Sequence, residues 1–172
     1  YMAYSIYRAR LTKIHGKMTA TTLAMQQELW DKVVAENIFV VCKTPMAECI
    51  TRRTLMGFRK GKVNAKSFEN LVQTIVKNPE TFINKVRQGK SFWNANEDND
   101  MKFTAIVGNP PYQEMDGGSK ASAKPIYNEF VEIAKHIDPL YVSMIMPAKW
   151  YNGGKGLDDF RKAMLNDKRI FK

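Results

Sequence analysis

Residues 103–112 of this chain read Phe103-Thr104-Ala105-Ile106-Val107-Gly108-Asn109-Pro110-Pro111-Tyr112. The six residues up to Gly108 are mostly apolar, which is typical of a short strand buried inside a sheet. We expect that strand to end at Asn109, because the two prolines that follow have no backbone N–H to donate to a neighbouring strand. The segment therefore predicts a buried strand whose carboxyl end leads directly into a turn.

Strands and helices alternate on both sides of this segment. Upstream, Asn37–Cys42 is an apolar run typical of a buried strand, and Thr44-Pro45 supplies an N-cap and a first-turn proline for a helix to about Met56. Downstream, a helix from Pro125 precedes a third buried strand over Leu140–Met146. This alternation predicts an α/β fold with a parallel, doubly wound sheet, in which ligands bind beyond the carboxyl ends of the strands.

The range 57–100 is predicted to be a helical insertion within this fold. Ser67 can cap a helix with one apolar face, and Asn78-Pro79 can begin a second one. The insertion would separate the first strand and helix from the segment that contains Asn109.

The composition excludes several classes of protein. With 44% hydrophobic and 26% charged residues in 172, the chain is typical of one folded domain and not of a disordered protein. No apolar stretch approaches the roughly 20 residues of a membrane span, and the first residues lack the layout of a secretion signal. Cys42 and Cys49 fit free thiols in a reducing compartment. We therefore expect a cytoplasmic protein without a membrane segment or a metal site.

The net charge of +10 points to an anionic partner. Between Cys49 and Phe68 there are six basic residues and no acidic one: Arg52, Arg53, Arg59, Lys60, Lys62 and Lys66. Such a run suits contacts with nucleic-acid phosphates, and it equally suits a solvated basic face.

The turn Asn109–Tyr112 is suited to hold an amine attached to a flat ring. Its prolines leave backbone carbonyls without matching donors, and the Asn109 side chain adds another acceptor oxygen. Acceptors that hold both hydrogens of an –NH2 group draw its lone pair out of conjugation, so that the nitrogen can attack an electrophilic methyl group. Tyr112 offers a ring face on which a base can stack. A paired base would have to be flipped out of the duplex to reach such a site.

The segment 103–113 resembles the catalytic motif of N6-adenine DNA methyltransferases, and above all the methylase part of type II restriction-modification enzymes. The resemblance covers about 101–172 and includes Pro125–Val131, Met146–Tyr151 and Gly153–Arg161. It implies a Rossmann-like methyltransferase domain, the cofactor S-adenosylmethionine, and adenine in DNA as the substrate. In that case Asn109, Pro110, Pro111 and Tyr112 are the catalytic residues.

The resemblance also assigns two positions near the cofactor. Cys42 stands where the family usually has an acidic residue that holds the cofactor ribose, and Lys90 stands where Asp or Asn usually meets the cofactor adenine. The family's glycine-rich cofactor loop is absent from this sequence. The resemblance therefore implies that 1–172 is part of a methyltransferase catalytic domain, that the loop precedes Tyr1, and that the isolated chain lacks activity.

DNA is the partner that the sequence favours, with Arg52, Arg53, Lys149 and Trp150 as its predicted contacts. A fused or partner nuclease and a specificity region are further partners that the family implies. Two alternatives stay open. The same tetrapeptide resembles that of enzymes that methylate a protein glutamine or a ribosomal RNA amine, and the substitutions at Cys42 and Lys90 fit a non-catalytic DNA-binding module.

Overall fold

The computed structural model describes residues 1–15, 21–93, 100–113 and 124–170. They belong to two compact units, the first made of Tyr1–Leu71 with Gly89–Asp98 and the second of Val72–Gln88 with Asn99–Lys172. The α-helices are α1 (Met2–His15), α2 (Leu23–Asn37), α3 (Pro45–Met56), α4 (Leu71–Lys77), α5 (Pro79–Arg87), α6 (Gly89–Trp93), α7 (Tyr127–His136) and α8 (Asp158–Asn166). The strands are β1 (Phe39–Cys42), β2 (Asn64–Ser67), β3 (Ala105–Gly108) and β4 (Tyr141–Met144), and a 3-10 helix covers Ala148–Asn152.

In the first unit, α1 and α2 pack on each other and α3 packs on a two-stranded parallel sheet. The α1–α2 contact buries Tyr7, Leu11, Leu29 and Val33. Helix α3 begins as predicted, because the Thr44 hydroxyl accepts a hydrogen bond from the Ala47 N–H at 3.1 Å and Pro45 occupies the first turn. This helix brings the side chains of Glu48 and Arg52 to β2.

Strand β2 lies within the range 57–100, so that range is not wholly helical. The strand pairs with β1 in parallel, with Phe39 opposite Asn64 and Cys42 opposite Ser67. The buried Asn64 amide donates hydrogen bonds to the carbonyls of Ala35 at 2.8 Å and Ile38 at 3.2 Å. The prediction that Ser67 caps a helix is wrong, because Ser67 is the last residue of β2. The start of a helix at Pro79 is confirmed.

In the second unit, β3 and β4 form a parallel pair, with Ala105 opposite Tyr141 and Gly108 opposite Met144. A buried cluster from α7, α8 and the loop between β4 and α8 packs beside this pair, with Met144 and Met146 against it. Its members are Tyr127, Val131, Trp150, Leu157, Phe160 and Met164. The cluster fixes the segment that follows β4.

The predictions that the strands at 103–108 and 140–146 are buried are both wrong. Tyr141 is 65% exposed and Val142 is 39% exposed, while the neighbouring Val107 of β3 is 54% exposed. The reason is that, among the strands that the structure describes, β4 has β3 as its single partner, and the apolar cluster covers one part of this pair. An apolar sequence fits a buried strand, but burial depends on what packs against it.

The described strands form two separate two-stranded parallel sheets, β1–β2 and β3–β4. The chain is therefore α/β with parallel pairing, as predicted, whereas the single doubly wound, Rossmann-like sheet stays a prediction. Among the described helices, none combines the length and the apolar content that crossing a membrane requires.

Candidate functional site

The segment Asn109–Tyr112 begins where β3 ends, as the sequence predicts. The pairing with β4 continues to this end, because the Ile145 N–H donates to the Gly108 carbonyl at 2.9 Å. A Cβ on Gly108 would lie 2.8 Å from the Met144 sulfur, so the glycine allows close approach of that side chain. The position of Asn109 is thus set by the paired end of a strand.

The tetrapeptide is anchored at both of its ends. Pro110 is buried, whereas Asn109 is exposed and Tyr112 is 42% exposed. The Tyr112 hydroxyl donates a hydrogen bond to the Asn109 side-chain oxygen at 3.1 Å. The Tyr112 carbonyl accepts a hydrogen bond from the Ile126 N–H at 3.3 Å. The Asn109 carboxamide is therefore oriented by its own motif before any ligand arrives.

Some hydrogen-bond acceptors of this turn are used within the fold, and others receive no backbone hydrogen bond from the described residues. The carbonyls of Gly108 and Tyr112 are engaged by Ile145 and Ile126. Within the described part of the chain, no backbone N–H donates to the carbonyls of Asn109 or Pro110. The Asn109 side-chain oxygen has two lone pairs, and one of them accepts the hydrogen bond from the Tyr112 hydroxyl. Because Asn109 is exposed, its side-chain oxygen and its backbone carbonyl can accept hydrogen bonds from a group with two N–H donors, whereas Pro110 is buried.

A second loop follows the carboxyl end of β4, at the same edge of the β3–β4 pair. It contains the 3-10 helix with the predicted DNA contacts Lys149 and Trp150. Lys149 is exposed, but the Trp150 ring is only 6% exposed and lies within the apolar cluster. Packing accounts for Trp150 in this structure, and its burial leaves almost none of the ring for a ligand.

The two positions predicted to bind the cofactor both lie in the first unit. Cys42 ends β1 and is buried, with its sulfur 3.7 Å from the Thr51 hydroxyl. Lys90 is exposed on α6. A thiol is a weak acceptor and an ammonium group accepts nothing, so neither side chain replaces the carboxylate or amide that would bind a ribose hydroxyl or an adenine amine.

Arg52 and Arg53 are neighbours on α3 with different surroundings. The Arg52 guanidinium donates to the carbonyls of Val63 at 2.8 Å and Ala65 at 2.6 Å, and it forms an ion pair with Glu48 at 3.1 Å. Arg53 is exposed and lies over the Phe58 ring, 5.5 Å from its centre. Arg52 thus joins α3 to β2, and Arg53 keeps its charge at the surface.

Two residues near these positions were missed by the sequence reasoning. Glu48 accepts a hydrogen bond from the Ser67 N–H at 2.6 Å, and its spacing of four residues from Arg52 is the signal that indicates such a pair. Tyr151 is 56% exposed and stacks on Trp150 with ring centres 3.9 Å apart. No pattern in the sequence tells which of these two adjacent rings is buried.

Two of three comparisons with known proteins found a match, in both cases to a methylase. A family model described as Eco57I restriction-modification methylase matches residues 36–172. A 52-residue part is 52% identical to a protein of Mycoplasma pneumoniae named as an uncharacterized adenine-specific methylase. That match covers 29% of this chain and 12% of the other protein, so the chain spans only a small part of this relative. No solved structure matches the chain.

Proposed function

The chain belongs to the Eco57I restriction-modification methylase family, and from this premise we propose that it carries the target-amine site of a DNA adenine-N6 methyltransferase. The methyl donor in this proposal is S-adenosylmethionine, and the reaction protects DNA within a restriction-modification system. The similarity to the Mycoplasma pneumoniae protein supports adenine as the target base.

One observation carries the proposal: the turn Asn109–Tyr112 at the end of β3 presents open acceptors beside an exposed aromatic ring. The Asn109 side-chain oxygen and the Asn109 backbone carbonyl, to which no described backbone N–H donates, match the two hydrogens of an exocyclic amine. Tyr112 can stack on a base held there, a contact that contributes about 1–3 kcal/mol in single-stranded DNA complexes. A flipped adenine satisfies both requirements.

The residues of the turn act on the amine by holding its hydrogens. Hydrogen bonds from the amine to the Asn109 oxygen and a neighbouring carbonyl favour a nitrogen whose lone pair points away from the ring system. S-adenosylmethionine, when bound, supplies an electrophilic methyl group for that lone pair. Asn109 is a neutral amide that does not take up a proton, so the proton lost by the nitrogen leaves to water after the transfer.

The predicted cofactor residues do not fit their assigned partners in side-chain chemistry. Cys42 is buried against Thr51, and Lys90 offers only donors. The single nearby carboxylate on α3, Glu48, is engaged by Ser67 and Arg52. We therefore assign no step of the reaction to Cys42 or Lys90, and their role in binding S-adenosylmethionine stays a prediction.

Contacts with the DNA backbone are proposed for exposed cations. Arg53 and Lys149 meet this condition, and so do Lys60 and Lys62 of the basic run. Arg52 is joined to β2 and Glu48, and Arg59 forms an ion pair with Asp31 at 2.8 Å. Charges already paired within the fold contribute less to counterion release than free ones.

The test is methylation of unmodified DNA by the protein as its organism makes it, with Asn109→Ala compared to Asn84→Ala. Asn84 is exposed on α5 and serves as a matched control. We expect Asn109→Ala to lower the rate about 100-fold or more, the loss typical of removing one preorganised hydrogen-bonding group from an active site. The Asn84 variant should keep the wild-type rate.

Other outcomes separate the alternatives. Methylation of a protein glutamine or of ribosomal RNA, with DNA left unmodified, would replace the DNA substrate by one of the two other amine classes. Binding of DNA without any methyl transfer would favour a non-catalytic module. Full activity of Asn109→Ala on DNA would remove the turn from the proposed role.

A further inference from the structure

Beyond the carboxyl end of β4, an exposed tyrosine lies flat on a buried tryptophan. The rings of Tyr151 and Trp150 have centres 3.9 Å apart and an angle of 24° between their planes. Tyr151 is 56% exposed, whereas Trp150 is 6% exposed. One face of the Tyr151 ring is therefore covered by the protein, and most of the remaining surface faces solvent.

The Tyr151 ring rests on a fixed support. Trp150 packs in the apolar cluster and contacts Phe160 edge to face, with ring centres 5.9 Å apart. The Tyr151 carbonyl accepts a hydrogen bond from the Arg161 side chain at 2.7 Å, and the Trp150 carbonyl accepts one from the Gly153 N–H at 3.2 Å. A ring held in this way loses little conformational freedom when a ligand stacks on it.

The surroundings of Tyr151 suit an anionic ligand at the edge where Asn109 lies. Lys149 and Lys155 flank the aromatic pair in sequence, and both are exposed. Because β3 and β4 are parallel with Gly108 opposite Met144, Asn109 and the 3-10 helix both follow the carboxyl edge of the same strand pair.

We propose that Tyr151, backed by Trp150, is a stacking platform for an unpaired nucleobase, with Lys149 and Lys155 contacting the flanking phosphates. The inference rests on the proposed function, which requires a nucleic acid with a base out of its stack. An exposed aromatic ring combined with exposed cations suits single-stranded nucleic acid, because every base has a face to stack and every nucleotide has a phosphate. Tyr151 would then be a second stacking surface for the nucleic acid, in addition to the Tyr112 ring.

The experiment measures binding of a single-stranded oligonucleotide that carries one 2-aminopurine, whose fluorescence is quenched when it stacks. Tyr151→Leu removes the ring and Tyr151→Phe retains it. Tyr141→Leu is the matched control, because Tyr141 is 65% exposed and lies at the opposite end of β4. We expect Tyr151→Leu to bind about 5- to 150-fold more weakly and to lose the part of the quenching that does not depend on Tyr112. Tyr151→Phe and Tyr141→Leu should match the wild type.

Equal affinity and quenching for Tyr151→Leu and Tyr141→Leu would overturn the platform. If Tyr151→Leu folds poorly, the salt dependence of binding provides a second test of the platform. The double variant Lys149→Gln/Lys155→Gln should reduce the slope of log affinity against log salt by about 1.4, since each phosphate contact of a single strand contributes about 0.7. Lys77→Gln/Lys162→Gln, which removes two other exposed lysines, should leave the slope unchanged. Equal slopes for the two double variants would also overturn the platform.

The platform and the proposed function fail in different ways. Asn109→Ala should lower the rate of methylation about 100-fold or more and leave the Tyr151-dependent quenching of 2-aminopurine intact. Quenching that depends on Tyr151, in a protein that never methylates DNA, would support the platform and contradict the methyltransferase. Methylation that depends on Asn109, with quenching independent of Tyr151, would support the methyltransferase and contradict the platform.

Discussion

Arg52→Gln separates a structural role of this arginine from the DNA contact that the sequence predicts for it. The guanidinium joins α3 to β2 through hydrogen bonds to the Val63 carbonyl at 2.8 Å and the Ala65 carbonyl at 2.6 Å. It also pairs with Glu48 at 3.1 Å. Glutamine is shorter and uncharged, so it cannot keep both carbonyl contacts and the ion pair.

The expected loss of stability follows from these contacts. A hydrogen bond from a charged group contributes about 1.5–3 kcal/mol when it is well shielded. The Arg52 side chain is 39% exposed, so water replaces part of each bond, and the half-exposed ion pair adds only about 0–1 kcal/mol. We expect the free energy of unfolding to fall by about 2–3 kcal/mol, which corresponds to a Tm about 4–12 °C lower for a chain of this size.

Urea unfolding followed by circular dichroism measures this loss, with Arg53→Gln as the control on the same helix. Arg53 is exposed, so its replacement should change the free energy of unfolding by less than about 0.5 kcal/mol. DNA binding under conditions where both variants are folded should be weakened by Arg53→Gln and unaffected by Arg52→Gln. Equal stabilities of the two variants would refute the structural assignment of Arg52.

Two further changes test other contacts of the fold. Burial raises the pKa of Glu48, but hydrogen bonds from Ser67 and Arg52 outweigh this effect and hold the pKa below its ordinary value of 4.5. The charged carboxylate therefore stabilises the fold above that pH. In urea unfolding at a series of pH values, the loss of unfolding free energy caused by Glu48→Gln should become smaller as the pH falls below 4.5. A loss that is the same at every pH would contradict this assignment. Gly153→Ala should cost about 1–3 kcal/mol, because its φ is +69° and the new Cβ, 2.5 Å from an Asp158 oxygen, would displace that oxygen from its hydrogen bond with the Gly154 N–H. Gly154→Ala, at φ +77° with no atom within 4 Å of the new Cβ, should cost less stability. Thermal unfolding of both variants measures the difference, and equal losses of stability would exclude the clash at Gly153.

The elements that the sequence predicts well are those whose signals are local. The apolar runs ending at Cys42 and Gly108 are strands, and Thr44-Pro45 begins a helix through a hydroxyl cap and a proline in the first turn. Each of these signals depends on residues within one turn or one strand. The position of Asn109 at the end of a strand could therefore be read directly from the sequence.

Strand β2 could not be predicted in this way, because its residues Asn64–Ser67 are mostly polar. Asn64 is buried only because the carbonyls of Ala35 and Ile38 accept its amide hydrogens. Those partners lie 26 to 29 residues away in sequence. A buried polar residue with distant partners has no signature in hydrophobic periodicity.

The candidate site was predictable in its motif and not in its surroundings. The sequence places Asn109 and Tyr112 three residues apart, but the hydrogen bond between their side chains depends on the shape of the turn. For the neighbouring loop, the sequence favoured Trp150 as the aromatic contact, whereas the fold buries that ring and exposes Tyr151. Burial of one of two adjacent aromatic residues is decided by tertiary packing, here by Phe160 and the rest of the apolar cluster.

The tandem prolines at 110 and 111 also have a thermodynamic consequence for the turn. Each ring holds its φ near about −65°, so the unfolded chain samples fewer conformations at these two positions than it would with other residues. Much of the entropy lost in ordering the acceptor carbonyls is therefore absent from both folding and ligand binding. In the proposed function, an amine that reaches this turn would therefore meet acceptors that are already arranged, and its affinity would come from the hydrogen bonds and from stacking on Tyr112.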